Sequence, residues 1–167
     1  MICRRFTNSD TLELISLLAR IDQDGTALHF RPHPMTAEEA VKMANYAGQD
    51  HYAGVWVGDC LRGYGCLRGW DEGYEIPSLG IYMLPEARGT GLAQAMMAHL
   101  HEVAQNAGAP KVRLRVKASN ERAWRLYEKF DYEFPGTFER GELVGIKVLT
   151  TQAKTPVDKN EAVTYTA

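Results

Sequence analysis

The stretch Leu79-Gly80-Ile81-Tyr82-Met83-Leu84-Pro85-Glu86-Ala87-Arg88-Gly89-Thr90-Gly91-Leu92-Ala93 decides the fold of this chain. It begins as an apolar run typical of a buried strand, and Pro85 closes that run. Beyond the glycines, apolar residues recur at helical spacing: Leu92, Met96, Leu100, Val103 and Ala107. The stretch therefore predicts a strand, a glycine turn and a long helix.

The turn between strand and helix has the features of an anion site. Gly89 and Gly91 carry no Cβ, so a ligand can approach their backbone N–H groups. These donors lie at the positive end of the helix dipole, where each anion contact contributes about 0.3–1 kcal/mol, and Arg88 adds a positive charge. A tight connection that uses glycine only for its φ angles is the alternative. The P-loop pattern is absent, and Gln94 stands where a G-x-G-x-x-G motif needs glycine.

The segment Ile81–Ala93 resembles the coenzyme A-binding motif of the GCN5-related N-acetyltransferases, the GNAT family. Arg88, Gly91 and Ala93 fill its pattern, Q/R-x-x-G-x-G/A. The resemblance implies acetyl-CoA as co-substrate, with its pyrophosphate wrapped by the backbone of Arg88, Gly89, Thr90, Gly91, Leu92 and Ala93. It also implies that Ile81 pairs with the pantetheine arm and that the Met83 N–H stabilises the negative oxygen of the intermediate. Pro85 is expected to end the strand and let it splay from the next one.

Composition limits the classes of protein that remain. The chain has 167 residues, 45% hydrophobic and 24% charged, as expected for one globular domain over 1–149 with a disordered polar tail over 150–167. A net charge of −2 favours neither nucleic-acid nor membrane binding. No apolar run spans a bilayer and no signal-peptide core is present, so we expect a cytoplasmic protein. Cys3, Cys60 and Cys66 fit no disulfide framework or zinc spacing, so no metal is expected.

The remaining patterns predict an α/β fold with the element order β-α-α-β-β-β-α-β-α-β-β. The predicted strands cover 2–6, 51–57, 61–68, 74–84, 112–116, 132–138 and 143–149. The first predicted helix follows the caps at 7–10 and carries Leu12, Ile15, Leu18 and Ala19 on one face. The other predicted helices cover 36–48, 91–107 and 120–130. Strand–helix–strand units imply parallel pairing and hairpins imply antiparallel pairing, which gives a mixed central sheet of six to seven strands with helices on both faces. GNAT acetyltransferases share this order, so the resemblance extends over about 1–149.

A second segment, 120–130, resembles the family pattern N-x-x-A-x-x-x-Y through Asn120, Ala123 and Tyr127. The resemblance implies that Tyr127 lies beside the coenzyme sulfur and protonates it, while Asn120 contacts the pantetheine or orders the helix start. An amphipathic helix with an N-cap and a core tyrosine is the alternative. Asp131 replaces the usual glycine after this helix. Asp tolerates the left-handed conformation at a cost of at most about 1–2 kcal/mol, and a remodelled turn that displaces Tyr127 is the alternative.

Acetyl transfer to an amine also needs a base that removes the amine proton. Glu75 lies thirteen residues before Arg88, where the histone-modifying branch of the family carries its glutamate. Burial beside Ile76 is expected to raise the pKa of Glu75. A solvated carboxylate at a surface turn is the alternative, with Tyr74 and Glu72 as substitutes.

The acceptor site is the least defined part of the sequence. His29, Phe30, Arg31 and His33 are candidates for a pocket that takes a phosphorylated or sugar amine, or they form a proline-stiffened surface loop. Arg113, Arg115 and Lys117 form a basic strand face or a solvated edge. We therefore expect an N-acetyltransferase that acts on a small primary amine, including amino sugars, by direct attack. A protein or peptide acetyltransferase and a non-catalytic acyl-CoA-binding regulatory domain are the alternatives. Members of the family often form homodimers, so a homodimer is among the expected assemblies.

Overall fold

A computed structural model describes residues 1–25 and 32–149, and its element order is the predicted one. His29, Phe30, Arg31 and the expected tail over 150–167 lie outside the described residues. The strands are β1 (Ile2–Arg5), β2 (His51–Val57), β3 (Cys60–Arg68), β4 (Ser78–Met83), β5 (Lys111–Val116), β6 (Phe138–Glu139) and β7 (Glu142–Val148). The helices are α1 (Thr11–Gln23), α2 (Ala37–Ala44), α3 (Leu92–Asn106) and α4 (Glu121–Glu128).

The strands form one seven-stranded sheet in the order β1-β2-β3-β4-β5-β7-β6. Neighbouring strands are antiparallel except β4 and β5, which are parallel, so the predicted mixed sheet is confirmed. The parallel pair has a single pair of partner residues, Ser78 and Arg113. Beyond that pair the two strands separate toward their carboxyl ends, which opens the middle of the sheet.

Helices cover both faces of the sheet, as adjacent residues of β3 show. The Tyr64 hydroxyl bonds His33 in the segment before α2, at 2.9 Å. A Cβ on Gly65 would instead meet Met96 and Leu100 of α3. Because successive strand residues point to opposite faces, α3 lies on the face opposite α2.

The same alternation places α1 beside α2 and the end of α4 beside α3. On β4, the Tyr82 hydroxyl donates to Asp24, which follows α1, at 2.7 Å. On the other face, His101 of α3 bonds the Tyr132 hydroxyl at 2.9 Å. The Tyr132 ring lies 5.7 Å from the ring of Tyr127 on α4.

Two predicted strands are shorter in the structure. β4 begins at Ser78 and not at Tyr74. The Tyr74 N–H donates to the Gly69 carbonyl and closes a turn there, and Pro77 has no N–H with which to pair to a neighbouring strand. The predicted strand 132–138 is reduced to Phe138–Glu139, since Pro135 and Gly136 interrupt it.

A buried carboxylate, Asp10, fixes the start of α1 to β1. Arg4 donates two hydrogen bonds to it, at 2.6 and 2.7 Å. The backbone N–H and hydroxyl of Thr7 donate two more, at 2.8 and 3.0 Å. The Arg4 hydrogen bond is the main reason that the pKa of Asp10 falls to about 2, with the Thr7 bonds adding to the effect and burial opposing it.

Replacing this carboxylate in Asp10→Asn is expected to lower the free energy of unfolding at pH 7 by about 2 kcal/mol. The folded pKa lies below the unfolded value, so the stabilisation is complete above about pH 4 and is lost as the pH falls through about 2. Urea unfolding at several pH values measures both effects. Glu86→Gln, which removes an exposed ion pair with Arg20, is the control and should cost less than about 1 kcal/mol. Equal stability of Asp10→Asn and wild type at pH 7 would contradict this account.

Candidate active site

The separation of β4 from β5 opens a cleft of about 2140 Å³ through the sheet. It extends from the glycine turn at Gly89, past Asn120 and Tyr127, to the β6–β7 hairpin at Glu139. The two segments that resemble family motifs therefore line one continuous cavity, although about thirty residues of chain separate them.

The backbone of β4 presents polar groups along one wall of this cleft. The Leu84 N–H donates to the Arg62 carbonyl of β3 at 2.9 Å. Because backbone groups alternate in direction along an antiparallel strand, the N–H groups of Met83 and Ile81 point to the opposite edge, toward the cleft. Arg88 Nε donates to the Met83 carbonyl at 3.0 Å and so holds the end of the strand in place.

The glycine turn has the conformation that anion binding requires. Gly89 and Gly91 have φ angles of 79° and 87°, in the left-handed region that favours glycine. Gly91 is the N-cap of α3, and the first intrahelical bond runs from the Ala95 N–H to the Gly91 carbonyl. The amides of Leu92, Ala93 and Gln94 therefore have no acceptor within the helix. The first turn of α3 carries no acidic residue, so these donors fit a phosphate group.

The residues of the turn divide into those that line the cleft and those that do not. Arg88, Gly89 and Ala93 line it, whereas Thr90, Gly91 and Leu92 do not. The Thr90 hydroxyl donates to the Ala87 carbonyl at 2.6 Å, and the Leu92 side chain is buried in the core. Thr90 and Leu92 therefore have their side chains committed to the protein, which leaves their backbone amides for a ligand.

Two features of the turn were not foreseen. Gln94 also lines the cleft. It directly follows the last residue of the motif, and this position in the sequence is what indicates a residue near the ligand. Arg88 does not carry an isolated charge, because its Nη2 lies 3.0 Å from Asp24.

Tyr127 lies across the cleft from β4 and is 7% exposed. Burial raises the pKa of Tyr127, and the nearby charge of Glu142 raises it further. The phenol is therefore protonated at neutral pH and can donate to an atom in the cleft. No protein hydrogen bond to its hydroxyl is found among residues 1–25 and 32–149.

The helix that carries Tyr127 is defined at both ends. Asn120 Oδ1 accepts from the Ala123 N–H at 3.3 Å, so Asn120 is the N-cap of α4, and both residues line the cleft. Asp131 has a φ of 58° and takes the left-handed position, so the turn is not remodelled. The Tyr132 N–H then bonds the Tyr127 carbonyl at 3.2 Å, the closure that a glycine commonly provides.

The candidate base is differently placed from the expectation. Glu75 lies in the bend before β4, and its side chain is exposed, so the expected burial beside Ile76 is wrong. The cause is the later start of β4, which leaves 74–76 outside the sheet. Glu75 still lines the cleft, as do Glu72 and Tyr74.

His33, the one described member of the four candidate acceptor residues, has a buried ring whose nitrogens are both bonded within the protein. Nδ1 donates to the Pro34 carbonyl at 2.8 Å, so Nε2 accepts from the Tyr64 hydroxyl at 2.9 Å. Burial lowers the pKa of His33 and favours this neutral form. His33 does not line the cleft, and this placement favours a role in holding its own segment in position.

The basic face of β5 lies inside the cleft and is not an outer edge. Arg113, Arg115 and Lys117 all line the cavity. Arg113 pairs with Glu139 at 2.5 Å and Arg115 with Glu142 at 3.8 Å.

Within 1–25 and 32–149, no helix combines the length and apolarity that a bilayer crossing requires. The same residues contain no group of three or more His, Cys, Asp or Glu side chains arranged to hold a metal ion.

Comparison with known proteins identifies the class to which this fold and cleft belong. The model of the acetyltransferase (GNAT) family matches residues 18–132. An acetyltransferase of the GNAT family from Streptococcus pneumoniae has a similar structure, with a TM-score of 0.76, 20% identity, and coverage of 89% of this chain and 99% of that one. The chain belongs to the GNAT acetyltransferase family, whose co-substrate is acetyl-CoA.

Two further relatives are informative. The PaiA N-acetyltransferase of Thermoplasma acidophilum, solved in complex with coenzyme A, superposes with a TM-score of 0.71 and 16% identity over 88% of this chain and 98% of that one. An acetyltransferase of Yersinia enterocolitica is 33% identical over 90 residues, which cover 54% of this chain and 59% of that protein. This chain therefore matches a little over half the length of that curated relative.

Proposed function

We propose that this protein transfers the acetyl group of acetyl-CoA to the primary amine of a small molecule. The observation that carries the proposal is the single cleft that brings together the glycine turn, the inner edge of β4 and Tyr127. The pyrophosphate binds the N–H groups that begin α3, with Arg88 and Gly89 at its side. The pantetheine arm follows the gap between β4 and β5, beside Ile81, Asn120 and Ala123.

The transfer takes place by direct attack when both substrates are bound. The amine nitrogen attacks the thioester carbonyl carbon, and the Met83 N–H donates to the oxygen that becomes negative. The C–S bond then breaks, and the sulfur takes a proton from Tyr127. The products are the acetylated amine and coenzyme A.

The amine must lose a proton before it attacks, since an alkylammonium has no lone pair. Glu75 is the proposed base, and its exposure in the cleft favours proton removal through a water molecule over direct contact. Glu72 and Tyr74 stand in the same wall and are the alternatives.

The small-molecule acceptor, including an amino sugar, remains our preferred class, and we place the reaction in the cytoplasm. There are two alternative functions: acetylation of a protein or peptide, and regulation by a domain that binds acyl-CoA without chemistry. Assembly as a homodimer is compatible with each of them.

Release of free thiol from acetyl-CoA, measured with a panel of small amines and peptides, tests the function. We expect thiol release that depends on the amine. The product should be about 42 Da heavier than the acceptor, because an acetyl group replaces one hydrogen. Normal coenzyme binding without amine-dependent release would assign the chain to the regulatory alternative. Release with peptides alone would overturn the small-molecule acceptor.

A further inference from the structure

A row of side chains crosses the floor of the cleft at the end away from the glycine turn. In the sheet register Arg68 of β3 pairs with Ser78 of β4, and Ser78 pairs with Arg113 of β5. Directly paired residues project from the same face of a sheet, so the three side chains stand side by side. All three line the cleft.

The row lies on the face of the sheet that carries α1 and α2. Arg68 shares its face of β3 with Tyr64, which bonds the segment before α2, whereas α3 and the end of α4 lie on the other face. Ser78 is about 16 Å along β4 from Met83, so the row is remote from the pyrophosphate site. The coenzyme and the row thus occupy different ends of the same cavity.

Both arginines have hydrogen-bonding capacity that the protein does not use. The Nε atoms of Arg68 and Arg113 are buried and have no hydrogen-bond partner among the described residues. Arg68 donates from Nη1 to the Pro32 carbonyl, a neutral group, and forms no ion pair with a described carboxylate. Trp56 Nε1 is a third buried donor of this kind, and all three atoms are enclosed by protein, so the donors that a ligand in the cleft can reach are those at the ends of the two guanidinium groups.

The charges around the row indicate how much negative charge the bound group carries. Glu139 neutralises Arg113, and Glu142 lies beside Arg115. Arg68 has no carboxylate within ion-pair distance among the described residues, and its acidic neighbours Asp50 and Glu72 act on it only at longer range, so its guanidinium can still pair with one negative charge. A carboxylate carries that charge and accepts from guanidinium groups in a planar geometry.

We propose that the acceptor amine also bears a carboxylate, which Arg68 and Arg113 bind on either side of Ser78. This inference rests on the proposed acetyltransferase function and defines the acceptor as an amino-acid-like compound. The carboxylate fixes the acceptor at the far end of the cleft and directs its amine along β4, so the length of the acceptor sets how closely its amine approaches the thioester.

Matched pairs of amines test the proposal: lysine with cadaverine, ornithine with putrescine, 4-aminobutyrate with propylamine, and phosphoethanolamine with ethanolamine. We expect kcat/KM to be at least about tenfold higher for the best carboxylate-bearing amine than for its partner. Arg68→Gln and Arg113→Gln should each raise KM for the acid, so that its kcat/KM falls to that of its plain partner. Arg62→Gln, on the same strand but outside the cleft, is the control and should keep the preference.

The outcomes separate this inference from the function on which it rests. Equal kcat/KM within every pair, or a preference that survives both arginine variants, would overturn the inference and leave the acetyltransferase function intact. A preference for phosphoethanolamine alone would assign the row to phosphate and overturn the carboxylate assignment. Absence of acetylation with every amine and peptide would overturn the function and this inference with it. Arg113→Gln provides the test if Arg68→Gln does not fold, because Arg68 also holds Pro32.

Discussion

Tyr127→Phe is expected to lower kcat about 100-fold or more while leaving the dissociation constant of acetyl-CoA within about twofold of wild type. The change removes one hydroxyl from the cleft wall and keeps the ring that packs beside Tyr132. Sulfur would then leave as an unprotonated thiolate in a largely buried environment, which raises the barrier for C–S cleavage. Steady-state kinetics and coenzyme titration measure the two quantities separately.

Tyr132→Phe is the matched control for this variant. Its hydroxyl bonds His101 at 2.9 Å and does not line the cleft. We expect wild-type kcat and a loss of about 1 kcal/mol in stability. Full activity of Tyr127→Phe with every good acceptor would show that another group protonates the sulfur.

Gly91→Glu is expected to weaken acetyl-CoA binding at least about 100-fold. Position 91 has a left-handed φ of 87°, which costs a residue with a Cβ about 1–2 kcal/mol. The added carboxylate also stands where the turn is expected to hold the pyrophosphate, so like charges repel. Calorimetry with the folded variant measures the loss.

Gly108→Glu separates the two causes, because Gly108 lies beyond the other end of α3 with a φ of 81° and open space around its Cβ position. It should show similar backbone strain and a similar loss of thermal stability, with coenzyme affinity unchanged. Equal affinities for Gly91→Glu and wild type would mean that the turn does not bind the coenzyme.

The features that the sequence predicted are those encoded by neighbouring residues. The strand–turn–helix unit around Gly91 follows from an apolar run, two glycines and a 3.6-residue period, and all of these are local signals. The helix cap at Asn120 and the left-handed Asp131 are local in the same way. The order of elements followed from such signals alone.

The features that the sequence did not predict depend on contacts between distant segments. Glu75 is exposed because a turn delays the start of β4, which its own apolar neighbours do not reveal. His33 is buried by its bond to Tyr64, thirty-one residues away. The arginine row requires the register of β3, β4 and β5, and no single segment carries that information.

The central claim is that the turn before α3 binds the diphosphate of the coenzyme. Calorimetric titration of the purified protein with acetyl-CoA tests this claim most directly. We predict saturable binding of one acetyl-CoA per chain, preserved in Tyr127→Phe and lost in Gly91→Glu. Absence of any binding heat from folded wild-type protein at millimolar acetyl-CoA would contradict the account.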